Sequence, residues 1–284
     1  MSMTPAPLDQ PYRGSGVDRP VGVPLPPAPL ALLRVGQLRK RWHYVSFWSA
    51  ELSFCAARAE VGPLRQEYWG IWDRAAQQFR QGKHLFSERV QLDANRVRVT
   101  DGDAEIDVTF TGCGSFEVYR PAGRAYIWSH KTYCPQARGT VRYGGTTRAV
   151  AGTLFVDINA GYHERHTHWR WMAGAGRDTR GRLVAFNAIT GLFDTPAHSE
   201  RTIWVDGAAQ EIAPVTFAAD LSSVSFAEGG SLRFQPEALI DHRDNYLLIR
   251  SDYFHWFGTY SGTLPGGIEL SEAHGVCERH DALW

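Results

Sequence analysis

The sequence predicts an all-β protein made of two consecutive barrels or strongly curved antiparallel sheets. Short runs rich in Val, Ile, Thr and aromatic residues recur at close intervals, turn signals separate them, and almost no stretch repeats apolar residues at helical spacing. Many short strands with regular turns define a sandwich or a barrel. The runs also outnumber what one small eight-stranded barrel holds, so two successive halves account better for 284 residues.

Residues 1–35 read as a proline-rich arm, with Pro5, Pro7, Pro11, Pro20, Pro24, Pro26, Pro27 and Pro29. Proline lacks the N–H that a helix or ladder needs, so the arm is expected to be disordered or draped on the surface. Removing residues 1 to 25 is accordingly expected to cost little stability. The first folded half is expected over 36–147 and the second over 148–284, dividing loosely near Gly144 to Gly152.

From Arg41 to Cys55 the chain runs through aromatics and small residues as a long strand does, and Tyr68 to Arg74 reads as another. Ala75 to Arg80 could close a short helical turn. Strand-like runs follow at Arg89 to Leu92, Arg96 to Thr100, Ala104 to Thr111, Ser115 to Tyr119 and Tyr126 to His130. Asp101-Gly102, Gly112-Cys-Gly114 and Pro121-Ala-Gly123 punctuate them. Gly139 to Tyr143 and Arg148 to Ile158 come next, with Gly144-Gly145 between. After the central stretch at 161–171, the runs are Arg182 to Thr190, Arg201 to Val205, Tyr246 to Ser251, Trp256 to Thr263 and Ile268 to Gly275.

Gly161 to Trp171 carries more chemically capable side chains than any other stretch and reads as a β-strand bounded by glycines. Alternation puts His163, Arg165, Thr167, Trp169 and Trp171 on one face, and Tyr162, Glu164, His166, His168 and Arg170 on the other. Charges beside indoles fit the wall of a wet cavity better than a dry core, because buried charges must be paired or solvated.

Lys plus Arg and Asp plus Glu both total 30, so no global field favours nucleic acid. The ten Trp residues suit cores and apolar pockets alike. Cys55, Cys113, Cys134 and Cys277 lack the spacing of a zinc site or redox motif and read as four buried thiols. No apolar run approaches a membrane span and no leader pattern opens the chain, so no integral membrane segment and a cytoplasmic location are expected. Phosphate-loop, dinucleotide and nucleophile-elbow motifs are missing, and no cofactor is expected. Oligomeric state stays open.

Several stretches together resemble a known family: the central stretch itself, Ser199 to Gly207, and Phe257 to Leu264. Arg41-Trp42, Tyr126-Ile127-Trp128 with Lys131, Phe186-Asn187, and Gly275 to His280 before Trp284 extend the pattern. They resemble a bacterial family, domain of unknown function 2804, in the lipocalin-like or calycin superfamily. Carotenoid hydratases (hydroxyneurosporene synthases) and tocopherol cyclases look like more distant relatives. The resemblance implies two lipocalin-like units and an apolar substrate, but no catalytic acid transfers residue by residue.

The expected function is capture of a lipophilic small molecule in an aromatic-lined cavity, with cofactor-independent hydration, cyclisation or isomerisation by acid/base groups as its chemistry. The alternative is a non-catalytic carrier of a lipid or other hydrophobic ligand. His166, Glu200 and Glu278 are the candidate catalytic groups, since a carboxylate raised in pKa by an aromatic cavity can act as a general acid. The commoner fate of such a carboxylate is a salt bridge to an arginine such as Arg165. Arg165, Thr167, Trp169 and Trp171 are candidate ligand contacts, joined by Asn187 and Trp204 from the resembling stretches. His166 and His168 share a spacing that suits zinc, but without a third ligand no metal is expected.

Overall fold

A computed structural model of the chain describes residues 8–246 and 249–284. The first strands are β1 (Tyr12–Gly14), β2 (Leu33–Arg34), β3 (Gln37–Leu38), β4 (Lys40–Trp48), β5 (Leu52–Val61), β6 (Leu64–Asp73) and β7 (Gln78–Leu85). Next come β8 (Val90–Leu92), β9 (Arg96–Asp101), β10 (Ala104–Thr111), β11 (Gly114–Ala122), β12 (Ala125–Tyr143) and β13 (Thr146–Gly161). Then follow β14 (His166–Asp178), β15 (Leu183–Thr190), β16 (Thr202–Val205), β17 (Ala208–Glu211) and β18 (Val215–Phe217). The last are β19 (Ser223–Phe226), β20 (Ser231–Tyr246), β21 (Ile249–Leu264) and β22 (Ile268–Leu283). The fold is all-β, built on two nine-stranded antiparallel sheets curled into half-barrels. Among the described residues no helix is long and apolar enough to cross a membrane.

One compact body comprises Pro24–Phe116 and Arg124–Tyr162. Its strands pair in the order β7-β6-β5-β4-β13-β12-β10-β9-β8, and the curl brings β8 against β5 and β6. Leu154, Phe47, Phe54 and Ile71 lie opposite one another across four strands and are wholly buried, with the two Phe rings stacked at 5.0 Å. Opposed residues of neighbouring strands share a face, so this row fills the inside of the curl. The other face buries a polar pair: Lys131 Nζ lies 2.6 Å from Asp157 Oδ1, and Asn159 donates to the same carboxylate.

The division expected between 147 and 148 falls within β13, just after its turn with β12. Both strands stay in this body, because β13 pairs along its length with β12 and β4. The residues 75–80, expected as a short helix, are instead the end of the β6–β7 turn and the start of β7. Cys113 and Cys134 are joined in a disulfide, which corrects the expectation of four thiols; Cys55 and Cys277 are free and buried. A separation of 21 residues carries no motif, and only the folding back of the chain onto β12 brings the two sulfurs together.

The second body comprises His163–Trp284, Glu117–Gly123 and the described part of the first 23 residues. Its order is β17-β16-β15-β14-β22-β21-β20-β19-β18, and the curl brings β15 against β18. Met172, Phe186, Leu232, Phe234, Tyr260 and Cys277 belong to the core inside it, where Tyr260 packs against Phe186 at 5.0 Å and Phe234 at 4.7 Å. The strands β18, β19 and β20 lie in a region where the sequence shows no strand-like run before Tyr246. The run expected over 246–251 spans the end of β20 and the start of β21, and residues 247–248 lie outside the described residues. Gly176 serves the close pairing of β14 with β22, since a Cβ there would lie 1.9 Å from the Glu272 carbonyl oxygen.

The described part of the arm, from Leu8 onward, is docked rather than draped. β1 pairs with β11 through Tyr12 and Tyr119, Tyr12 is buried, and Arg19 forms an ion pair with buried Glu117. Arg13 donates to the Ser199 carbonyl at 2.5 Å and to Thr202 Oγ1 at 2.8 Å. Deleting residues 1–23 removes a buried ring and leaves Glu117 without this partner, a loss of roughly 3 to 5 kcal/mol. The melting temperature is expected to fall by more than about 8 °C, and a fall below about 3 °C would show the docking to be inconsequential.

Candidate functional site

The central stretch divides between two elements and a loop. Gly161 ends β13 and β14 starts at His166, so His163, Glu164 and Arg165 precede the strand. From there alternation holds: Thr167, Trp169 and Trp171 are buried, while His166 and His168 are exposed on the opposite face.

β22 supplies the next column of the buried face, with His280 opposite Trp169 and Glu278 opposite Trp171. β21 supplies a third, with Tyr253 opposite His280 and His255 opposite Glu278. The three columns converge on one carboxylate. Trp169 Nε1–H donates to Glu278 Oε1 at 2.6 Å, and Tyr253 O–H donates to Oε2 at 2.9 Å. His255 Nδ1 lies 3.2 Å from the same Oε2, so Nδ1 carries a proton directed at the carboxylate. Trp169 meets the His280 ring edge-on at 4.3 Å, and Tyr253 stacks on His255 at 5.8 Å.

Burial pushes the Glu278 carboxyl up, yet the hydrogen bond and charge of His255 and the hydrogen bond of the Trp169 N–H outweigh it and hold the group below its ordinary value. Glu278 is therefore an ionised acceptor and potential base at neutral pH, rather than the raised general acid that the sequence suggested. Its partners are a His, a Trp and a Tyr, with no arginine among those bonds. Burial lowers His280 to about 4, with Glu278 and the nearby aspartates opposing the shift, so this imidazole is neutral at pH 7. Its Nε2 lies 2.7 Å from Ser251 Oγ.

A second polar line runs beside the first. Trp171 Nε1–H donates to Asn187 Oδ1 at 2.7 Å, and Asn187 Nδ2–H donates to the Glu200 carbonyl at 2.7 Å. Trp204 is buried on the same face, two rows along through Ala175 and Ala185. Glu200 reaches this line through its main chain, while its carboxylate bears electrostatically on Arg13. Thr167 Oγ1 accepts from Trp284 Nε1 at 2.9 Å.

The remaining candidates lie elsewhere. Arg165 is exposed and bonds the main-chain oxygen of Trp284. His166 is exposed on the far face, with Nε2 3.0 Å from Asp281 Oδ1. Among the described residues no three His, Cys, Asp or Glu side chains are arranged to hold a metal ion. The structure thus gathers Glu278, Trp169, Trp171, Thr167, Asn187 and Trp204 on one face, and leaves Arg165 and His166 off it. Sequence reasoning missed Tyr253, His255 and His280 as members. The Tyr253-Phe-His-Trp256 alternation was the available signal, because alternate residues share a face.

Fold and site together define a protein of two curled antiparallel half-barrels with a buried aromatic and carboxylate cluster in the second. The chain belongs to the family described as Domain of unknown function (DUF2804), which matches residues 73–284. No curated protein sequence matches it. Among solved structures, an AttH candidate from Nitrosomonas europaea is similar at 14% identity, with 90% of this chain and 99% of that one covered and a TM-score of 0.49. Kievitone hydratase from Nectria haematococca is similar at 10% identity over 86% of this chain and 88% of that one, with a TM-score of 0.48. CghA with Sch210972 is similar at 9% identity over 86% and 88%, with a TM-score of 0.41.

Proposed function

We propose that the chain captures a lipophilic small molecule against the aromatic face of the second half-barrel, and that Glu278 and His255 serve there as an acid/base pair. The observation that supports this reading is the ionised, buried Glu278 held by Trp169, Tyr253 and His255. Perturbed titratable groups in apolar surroundings concentrate at functional sites. The carboxylate holds the imidazole through Nδ1, which leaves Nε2 as the nitrogen that can exchange a proton with a bound molecule. Proton transfer of that kind suits hydration, cyclisation or isomerisation without a cofactor. The indoles and rings around it supply contact for a greasy body.

The test uses nile red, a neutral apolar dye. Wild-type protein is expected to bind it, and Trp169→Ala and Trp171→Ala are each expected to weaken binding by roughly fivefold or more, with folding checked by circular dichroism. Unchanged binding by both folded variants would remove this face from the site. Full engagement of Glu278 by three donors also suits a carrier that performs no chemistry. Incubation with excess host lipid extract separates the two, since a catalyst changes the extract and a carrier returns it unaltered.

Location belongs to the same proposal. A cytoplasmic setting requires the Cys113–Cys134 bridge to persist against a reducing pool, whereas such bridges are ordinarily kept in oxidising compartments. Thiol alkylation in intact host cells reads the state of the pair directly.

A further inference from the structure

The face of the second half-barrel opposite Glu278 changes character along its strands. One row consists of Met172, Cys277 and Trp256 and packs on or within the core. Two residues along, the next row is Arg170, Arg279 and Phe254, directly opposite one another on β14, β22 and β21. The row after that is His168, Asp281, Asp252 and Arg243, followed by His166, Leu283 and Arg250. A cleft of about 790 Å³ lies over these rows, lined by His166, Arg243, Arg250, Asp252, Phe254, Arg279, Asp281 and Leu283.

The pairing of charges there is uneven. Arg243 forks onto Asp241, Arg250 bonds Asp252, and Asp281 is taken by His166. Among the described residues Arg279 is in no ion pair with a carboxylate, and it lies over the Phe254 ring at 4.7 Å, with Arg243 also over that ring at 4.9 Å. Arg170, its neighbour across the strand pair, is in no ion pair among the described residues either. Like charges directly opposite on adjacent strands destabilise a sheet, so two uncompensated guanidiniums side by side form a place that an anion would stabilise. Phe254 stacks on Trp256 at 5.9 Å and Leu283 borders the cleft, which gives the site an apolar side as well.

We propose that this cleft binds an amphipathic carboxylate, its head held by Arg279, with the charge of Arg170 directly opposite on the neighbouring strand adding to the attraction, and its apolar body laid along Phe254 and Leu283. The site is separate from the Glu278 face and does not rest on the function proposed for it. A planar carboxylate matches the fork of a guanidinium, and a cleft of this size is in the range that encloses a small organic molecule.

Calorimetric titration of the full chain with dodecanoate below its micellar range, dodecan-1-ol and acetate tests this. Dodecanoate is expected to bind one per chain, at least tenfold tighter than either the alcohol, which lacks the charge, or acetate, which lacks the chain. Arg279→Met is expected to weaken dodecanoate by about tenfold and Arg170→Met, which removes only the neighbouring charge, by about threefold, both leaving the alcohol unaffected, with Arg279→Lys recovering part of the loss. Arg80→Met, exposed in the other body, is expected to change nothing. The proposal is overturned by absent dodecanoate binding, by equal affinity for acid and alcohol, by acetate binding as tightly as dodecanoate, or by folded arginine variants that bind like the wild type.

Discussion

A Glu278→Leu chain is expected to lose about 3 to 5 kcal/mol of unfolding free energy, because one acceptor group serves three buried donors. Leucine nearly matches the volume, so packing alone would predict a small change. What leucine cannot do is accept the N–H of Trp169, the O–H of Tyr253 or the ring N–H of His255. Each of those groups would stay away from water with no acceptor at this position, and an unsatisfied buried polar group costs more than the net worth of the bond it lost. Glu278→Gln keeps one carbonyl oxygen at the hub and is expected to fall between the two, at about 1 to 3 kcal/mol. Urea unfolding with a shared slope measures both. A Leu variant within 1 kcal/mol of wild type would mean that the cluster is not held as a unit.

Acid is expected to unfold the second half-barrel earlier than its acidic residues alone require. His280 is depressed by burial from 6.5 to about 4, so the folded state keeps it neutral where the unfolded chain protonates it. The sign follows directly: the contribution is fully present above pH 6.5 and is lost as pH falls towards 4, because the unfolded state binds the extra proton. A depression of that size corresponds to roughly 3 kcal/mol. Glu278, also depressed, adds a further loss below 4.5 as pH falls through its folded value. Stability measured from pH 7.5 to 4 is therefore expected to decline most steeply between 6.5 and 4. In His280→Phe, which keeps a ring against Trp169 and Tyr253, that decline is expected to flatten. An identical profile in the variant would remove His280 as its source.

The pattern of short alternating runs and glycine turns made the all-β class legible, because alternation is a local property. The shared face of Thr167, Trp169 and Trp171 was legible for the same reason, and the order of short motifs carried the family. What alternation cannot supply is which strand lies beside which. His255 and Glu278 stand 23 residues apart and meet only because β21 and β22 pair in that register. Alternation counted from Gly161 puts Arg165 on that face, whereas the strand starts at His166 and the arginine turns to Trp284. The strands β18 to β20 escaped notice because Glu228, Gly229 and Gly230 and the polar residues of β20 break the apolar rhythm of that region. Proline density hid the docking of the arm, since Tyr12 and Arg13 hold it through a tertiary partner and not through local propensity.

The central claim, that the Glu278 face holds a lipophilic molecule, is tested most directly by native mass spectrometry of protein purified from its own host, followed by organic extraction. The account predicts an added mass on the wild-type chain that extraction releases as an apolar compound, and that is reduced or lost in folded Trp169→Ala protein. Wild-type protein that carries no such mass, even after incubation with host lipid extract, or a mass retained equally by the Trp169→Ala chain, would contradict it.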